Sequence, residues 1–399
     1  MGLFGKKEKD KNVKEPSLKK AKDSPFLEYE EDEATNPKIR LYNDIVRRAY
    51  SYKTEEFSTY GLDDDEAKRV FKYVTCDYPE LFWLDGCHVE NGIMTIFYRC
   101  ITTDGQIDVK DIERKKKELR KSAKYFTRGI TKKTKPYDAL ITIYRRLILE
   151  LDYDGVGLKT EESRGDEQDI STDDNLRSLY SALVNRKVVC AGYAVAMQYL
   201  LQSVGISCGY VSSERQDGSG HGFNALKIGK YVYYIDVTWG DRSDTLTGKK
   251  DADDIFYDYC CVPYKEFLMT GEDSKYCHIP NKKFYPDLEE FKDTNHEYFR
   301  FRKSYLVRYD ENIIANAFAR AAMTYDAKEM GRFCIPFRCH DSSLMNYVMN
   351  QLGNGNNMAK IVAKAKALCK KKRRAVKLFT DTYSISGHPD PATIYVYFK

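Results

Sequence analysis

The chain has 399 residues and a mass of 46.3 kDa, enough for about two or three domains. Hydrophobic residues make up 42% and charged residues 31%, as in ordinary soluble proteins, and a net charge of +5 is too small to indicate a nucleic-acid partner. No apolar run approaches the roughly 18 residues that a membrane span needs. The N-terminus has no signal-peptide core, and Lys6 stands where a myristoylation motif has Ser or Thr. We therefore expect a cytoplasmic protein with no nucleic-acid and no membrane partner.

The cysteines follow neither a disulfide pattern nor a metal pattern. There are 11 of them, an odd number without regular spacing, so we expect free thiols in a reducing compartment. A zinc site would have to combine two distant groups of ligands, Cys277 and His278 with Cys334, Cys339 and His340. Because no Cys-x-x-Cys pair occurs, the sequence predicts no metal site. It also contains no phosphate-binding Gly loop and no nucleotide fingerprint, so it predicts no cofactor.

Composition and pattern divide the chain into four segments. We expect a disordered charged tail at 1–36, an N-terminal α/β region at 37–132, a central core at 133–283 and a C-terminal α/β domain at 284–399. The tail is dense in Lys, Glu and Asp and has almost no periodic apolar pattern. We find no internal repeat, and the sequence gives no indication of the oligomeric state.

Local patterns predict several elements before the central core. Asp63, with Glu66 three residues later, forms a capping box that opens a helix ending before Pro79. Asn91-Gly92 predicts a hairpin turn. The other elements predicted here are a strand at 93–101, helices at 108–126 and 137–151, and a loop at 152–174.

The C-terminal segment alternates strands and helices. Its predicted elements are a strand at 305–309, a helix at 311–323, a strand at 333–338, two further helices, and strands at about 376–384 and 393–398.

A helix with a cysteine at its start carries the first chemical signal. One apolar stripe runs through Tyr193, Met197, Leu200, Leu201 and Val204, with Gly205 at the C-cap. This stripe puts Cys190 at the N-terminus of the helix, where unpaired N–H groups and the helix dipole stabilise a thiolate.

A hairpin downstream of this helix carries the second signal. Residues 221–228 and 231–238 are strand-like runs, and a two-residue turn between them places Phe223 opposite Asp236 and His221 opposite Thr238. Because side chains alternate between faces, His221 and Asp236 share a face as diagonal neighbours about 7–8 Å apart, a gap that their side chains can close. Cys190, His221 and Asp236 thus supply a nucleophile, a base and an orienting acid in chain order.

Three motifs at these residues resemble the transglutaminase-like superfamily of papain-type folds. They are Val189-Cys-Ala-Gly-Tyr-Ala194, His221-Gly-Phe-Asn224 and Asp236-Val-Thr-Trp-Gly-Asp241, and weaker likeness extends over residues 40–280 to bacterial multidomain members similar to the cytokinesis and kyphoscoliosis peptidase branch. The resemblance implies an α+β fold in which the helix carrying Cys190 packs on an antiparallel sheet carrying His221 and Asp236. It also implies substrate-binding or site-lining roles for four residues, Gly192, Tyr193, Phe223 and Trp239. Two departures stand out, Val188 in place of a common Gly and Gly222-Phe223 in place of the usual Ala-Trp.

The chemistry expected from these residues is acyl transfer through a thioester. A protein or peptide amide would acylate Cys190, and the sequence leaves the second nucleophile open between water, giving a peptidase or amidase, and a lysine amine, giving a protein-glutamine transglutaminase. Hydrolysis is favoured because selection of an amine requires a device that excludes water. The alternative from another class is a non-catalytic interaction module that keeps the same fold.

Overall fold

The structure, a computed structural model, describes residues 35–157, 176–215, 220–229, 231–243, 250–263, 274–278, 295–326, 330, 332–370 and 372–398. The described chain is a mixed α and β protein. The tail expected at 1–36 lies outside these residues except for Thr35 and Asn36, and most of the loop expected at 152–174 lies outside them too. No helix within the described ranges is long and apolar enough to cross a membrane.

Helices packed on a small antiparallel sheet form the first unit. Its elements are α1 (Pro37–Tyr50), β1 (Phe57–Ser58), α2 (Asp64–Asp77), β2 (Leu84–Glu90), β3 (Ile93–Tyr98) and α3 (Val109–Phe126), with strand order β1-β3-β2. Asp63 caps α2 by accepting a hydrogen bond from the Glu66 N–H at 2.7 Å, as the capping pattern predicts. Trp83, with no exposed surface, fills the centre of this core, and its indole donates to the Ala49 carbonyl at 3.2 Å.

The predicted hairpin at Asn91-Gly92 forms, but its second strand is shorter than expected. Both turn residues have positive φ, 52° for Asn91 and 75° for Gly92, as a two-residue hairpin turn requires. Strand β3 ends at Tyr98 rather than Ile101, because the chain turns and Ile101 pairs instead with Ile107.

The central unit places one helix against an antiparallel sheet. In chain order its elements are α4 (Pro136–Glu150), β4 (Asp152–Tyr153), a π-helical turn (Ser181–Asn185), β5 (Lys187–Val188), α5 (Cys190–Ser203), β6 (Cys208–Arg215), β7 (Gly220–Ile228), β8 (Tyr231–Ile235), α6 (Val237–Gly240), β9 (Asp241–Ser243), β10 (Lys250–Ile255) and β11 (Ser274–His278). Its main sheet has the order β11-β6-β7-β8, with every neighbour antiparallel. Helix α5 packs against this sheet and against α4, and apolar side chains of both helices share one core.

The C-terminal unit is a second sheet with helices. Its elements are α7 (Tyr298–Phe301), β12 (Tyr305–Leu306), α8 (Glu311–Thr324), β13 (Cys334–Cys339), α9 (Ser342–Gly353), α10 (Gly355–Leu368), α11 (Arg373–Val376), β14 (Tyr383–His388) and β15 (Thr393–Phe398), in the strand order β12-β13-β15-β14. The strand predicted at about 376–384 forms with different bounds, because Val376 ends the short helix α11 and the strand runs from Tyr383 to His388. An apolar run alone does not separate a short helix from a strand.

The contact between α4 and the segment after the site hairpin generates a stability prediction. A Cβ added to Gly240 would lie 1.8 Å from the Tyr144 hydroxyl oxygen, which donates to the Phe256 carbonyl at 2.6 Å. We therefore expect Gly240→Ala to lower the free energy of unfolding by about 3 kcal/mol, because the added methyl group overpacks the core. Urea unfolding would show the change as a lower midpoint. The control is Gly353→Ala at the end of α9, where no atom lies within 4 Å of the new Cβ. An unchanged midpoint for Gly240→Ala would contradict this packing.

Candidate active site

Cys190 begins helix α5, as the sequence predicts. The N-cap residue Val189 has an extended backbone and no side-chain hydrogen bond to the helix, so no side chain at that position competes for the first free N–H groups. The Cys190 side chain is half-buried between α5 and the sheet. Burial opposes formation of the thiolate, but the hydrogen bond and charge of His221 and the backbone N–H of Gly222 outweigh it and lower the pKa of the Cys190 thiol.

His221 and Asp236 form a buried pair across the hairpin. His221 Nε2 lies 2.5 Å from Asp236 Oδ2, and the exposed fractions of the two residues are 5% and 0%. The predicted register is confirmed from Asn224, which pairs with Ile235, to Ile228, which pairs with Tyr231, but the ladder stops before the predicted pair of Phe223 and Asp236. Because Asp236 occupies Nε2, exchange of a proton with Cys190 falls to the other ring nitrogen, Nδ1.

The acid of this pair holds the imidazole in its charged form. Burial alone would lower the pKa of His221, but the charge and hydrogen bond of Asp236, with a smaller contribution from Cys190, raise it to about 10. With the thiol pKa lowered and the imidazole pKa raised, transfer of the thiol proton to the imidazole is favoured. The arrangement therefore favours an ion pair between the Cys190 thiolate and the His221 imidazolium, as nucleophilic cysteines have.

The hairpin ends earlier than predicted, and the end fixes Asp236. Strand β8 stops at Ile235, and Thr238 lies in helix α6 instead of facing His221 across the hairpin. Asp236 is the N-cap of α6, and its Oδ1 accepts a hydrogen bond from the Trp239 N–H at 3.1 Å while Oδ2 faces His221. Both carboxylate oxygens are thereby engaged, so the Asp236 side chain is held in one orientation toward the imidazole.

Two of the predicted lining residues contact His221. The Phe223 ring stacks on the imidazole with centroids 6.0 Å apart, and the Trp239 ring meets it edge-on at 6.2 Å. Phe223 is 1% exposed, so it forms the buried floor beneath the imidazole. Trp239 is half-buried, and it is the ring of this pair that solvent reaches.

The other two predicted lining residues act through helix α5. Tyr193 has no exposed surface, and its hydroxyl donates to Asp241 Oδ2 at 2.5 Å, which links the helix to the segment after α6. A Cβ on Gly192 would lie 2.6 Å from both the Leu176 carbonyl oxygen and Val188 Cγ1. Val188, one of the two departures from the family pattern, is fully buried against Gly192. Tyr193 and Gly192 therefore hold helix α5, and with it Cys190, from inside the core.

Asn224 has a positioning role that the sequence reasoning missed. Its side-chain amide donates to the Ala194 carbonyl in α5 at 2.9 Å and to the Gly209 carbonyl in β6 at 3.2 Å. These bonds tie the strand that carries His221 to the helix that carries Cys190. The signal was present in the sequence, because Asn224 is the last residue of the second motif.

Tyr210 is a second residue that sequence reasoning missed, and it explains why Gly222 stands where the family pattern has Ala. Its hydroxyl oxygen lies 2.6 Å from the point where a Cβ on Gly222 would stand, so the usual Ala at this position would displace the Tyr210 ring. Burial raises the pKa of Tyr210, and negative charge on Cys190 adds to the effect, so the phenol stays neutral beside the thiolate. No local sequence pattern indicates a role for Tyr210, because Tyr210 lies beside Gly222 only as a result of the pairing between β6 and β7.

Metal-binding side chains do not gather at this site. Within the described ranges, no group of three or more His, Cys, Asp or Glu residues is placed to hold a metal ion.

No family model and no curated protein matches the chain. Among solved structures, it is similar to one described as a TGase, with 13% identity over 47% of this chain and a TM-score of 0.27. It is also similar to a candidate cysteine protease from Cytophaga hutchinsonii, with 15% identity over 37% of this chain and a TM-score of 0.22. The match spans half of each of those chains, and likeness at this level does not establish a shared fold.

The pair of His221 and Asp236 generates a titration prediction. In Asp236→Asn the imidazolium loses its counter-charge while burial remains, so we expect the pKa of His221 to fall from about 10 to below its ordinary value of about 6.5. Histidine carbon resonances recorded against pH would show the change, with His221→Gln identifying the signal. Asp104→Asn, at an exposed position, is the control. A His221 signal that titrates near neutrality in the unaltered protein would contradict the pair.

Proposed function

We propose that the chain is a cysteine-dependent acyl-transfer enzyme that attacks amide bonds through a thioester on Cys190. The observation that carries this proposal is the buried His221–Asp236 pair, 2.5 Å apart, whose imidazole lowers the pKa of a thiol at a helix N-terminus. The three motifs that resemble the transglutaminase-like superfamily support the same chemistry. Its substrate would be a protein or a peptide.

The first half-reaction follows from the charges at the site. The Cys190 thiolate attacks the carbonyl carbon, and the carbonyl electron pair moves onto oxygen. When the C–N bond breaks, the His221 imidazolium gives its proton to the departing amine, which leaves a thioester and a neutral imidazole. Asp236 stays ionised throughout and keeps the imidazole in one orientation.

The backbone around Cys190 supplies one group for the transition state. The Cys190 N–H is the first of helix α5 and has no acceptor within the helix, so it can donate to the developing oxyanion. Loss of one such donor typically reduces the rate by about 10²–10³.

The second half-reaction divides the hydrolase from the cross-linking enzyme. Neutral His221 takes a proton from the incoming nucleophile, which attacks the thioester and releases the Cys190 thiolate with a re-formed imidazolium. We favour water as this nucleophile, giving a peptidase or amidase, because transfer to a lysine amine needs a site from which water is excluded. Protein-glutamine transglutaminase activity is the alternative, and the test must distinguish it from hydrolysis.

Intact-mass spectrometry with an activated peptide ester would test the proposed function. We expect a single acyl adduct on the unaltered protein and on Cys87→Ala, a half-buried control cysteine, and at least about 10³-fold less adduct on Cys190→Ala. Release into water rather than onto added lysine ethyl ester would identify a hydrolase, and the reverse would identify a transferase.

Stability measurements separate loss of chemistry from loss of fold. Cys190→Ala should keep its unfolding temperature because a nucleophile on a half-buried helix start contributes little to the core. The absence of adduct on the folded, unaltered protein would contradict the enzyme and favour the non-catalytic interaction module. An adduct that persists in Cys190→Ala would remove Cys190 from the reaction.

A further inference from the structure

A cavity whose lining includes none of Cys190, His221 and Asp236 lies where the central unit meets the C-terminal sheet. Its volume is about 280 Å³, and its walls come from α4, the segment after β10, α7, α8 and β13. Five cationic side chains line it: Arg145, Arg302, Lys303, Arg320 and Arg332. Among the described residues of the lining no carboxylate occurs. The described part of the lining therefore carries a net positive charge.

Two of its arginines hold buried donor groups without a hydrogen-bond partner in the described chain. Arg145 Nε donates to the Tyr257 hydroxyl at 2.7 Å, but its Nη2 is buried and unpaired. Arg320 Nη2 donates to the Lys303 carbonyl at 2.7 Å, but its Nε is buried and unpaired. A buried donor left unpaired costs about 1–3 kcal/mol, and more when the group is charged.

The electrostatics of Arg320 point the same way. Burial lowers the pKa of its guanidinium, and the positive charge of Arg302 lowers it further. Stacked rings of Tyr257 and Tyr298, with centroids 4.0 Å apart, form a rigid wall beside these cations. The positive charges of Arg302 and Arg320 therefore repel each other, and an anion between these two side chains would remove the repulsion.

We propose that this cavity is a binding site for a small, multiply charged oxyanion that carries phosphate or carboxylate groups. Guanidinium groups present a planar fork of donors that matches both of these groups, and they hold them more tightly than neutral donors do. The cavity volume of about 280 Å³ lies just below the range of about 300–1,000 Å³ that is usual for sites of drug-sized ligands. The cavity therefore fits a ligand smaller than these. The site is separate from the proposed chemistry at Cys190 and does not depend on it.

Calorimetric titration of the full chain at low salt tests this site, with pyrophosphate and citrate as the two probes. We expect binding of at least one probe, weakened at least about tenfold in Arg302→Gln and in Arg320→Gln. Arg308→Gln, which removes an exposed cation outside the lining, is the matched control and should bind as the unaltered chain does. Preference for pyrophosphate would identify a phosphate ligand, and preference for citrate a carboxylate ligand.

Thermal unfolding without any probe gives an independent readout. If the cations repel one another, Arg302→Gln should unfold at an equal or higher temperature than the unaltered chain. A loss of stability in both variants, with no effect of either anion, would mean that the guanidinium groups already have partners, and it would overturn the proposal. Binding of neither probe to the unaltered chain, or equal weakening in Arg308→Gln, would overturn it as well.

Discussion

The charge pair between His221 and Asp236 is the interaction on which the site depends. A buried carboxylate and a buried imidazolium are each unfavourable alone, and each is stable here because the other stands 2.5 Å away. Within this pair His221 lowers the pKa of Cys190 and the negative charge of Asp236 opposes it weakly, so Asp236 acts on the thiol by keeping the imidazole charged. Removing Asp236 would therefore change the chemistry of a cysteine that belongs to a different element.

The surrounding fold holds this pair from several sides. Tyr259 accepts a hydrogen bond from the Asp236 N–H at 3.0 Å, and its ring packs on Trp239. The next residue toward the N-terminus, Asp258, pairs with His388 at 2.8 Å and accepts from Tyr395 at 3.2 Å, both in the C-terminal sheet. The C-terminal unit thus contacts the segment that supports the orienting acid, which gives a domain without an assigned activity a physical connection to the site.

Local sequence patterns predicted the parts of the site that depend on local rules. The position of Cys190 follows from helix periodicity, and the meeting of His221 and Asp236 follows from hairpin register, because a period of two leaves little freedom. The capping residue Asp63 and the turn at Asn91-Gly92 follow in the same way.

The missed features depend on tertiary contacts. Tyr210 reaches Gly222 only because β6 pairs with β7, and Asn224 reaches Ala194 only because α5 packs on the sheet. Strand β8 stops before Asp236 because the Asp236 carboxylate caps α6. The alternation of side chains alone does not show whether a strand continues or a helix begins at this residue. The cavity lined by Arg145 and Arg320 brings together residues that are far apart in the sequence, so no sequence motif could predict it.

The most direct test is the rate of Cys190 alkylation as a function of pH, read by peptide mass spectrometry in the unaltered protein and in His221→Ala. The other cysteines are internal controls, among them Cys76 and Cys339, whose pKa values burial raises to about 12. We expect fast labelling of Cys190 at pH 6 that is lost in His221→Ala, because the thiolate depends on the imidazolium. Labelling that follows an ordinary thiol of pKa about 8.5, in both proteins alike, would contradict it.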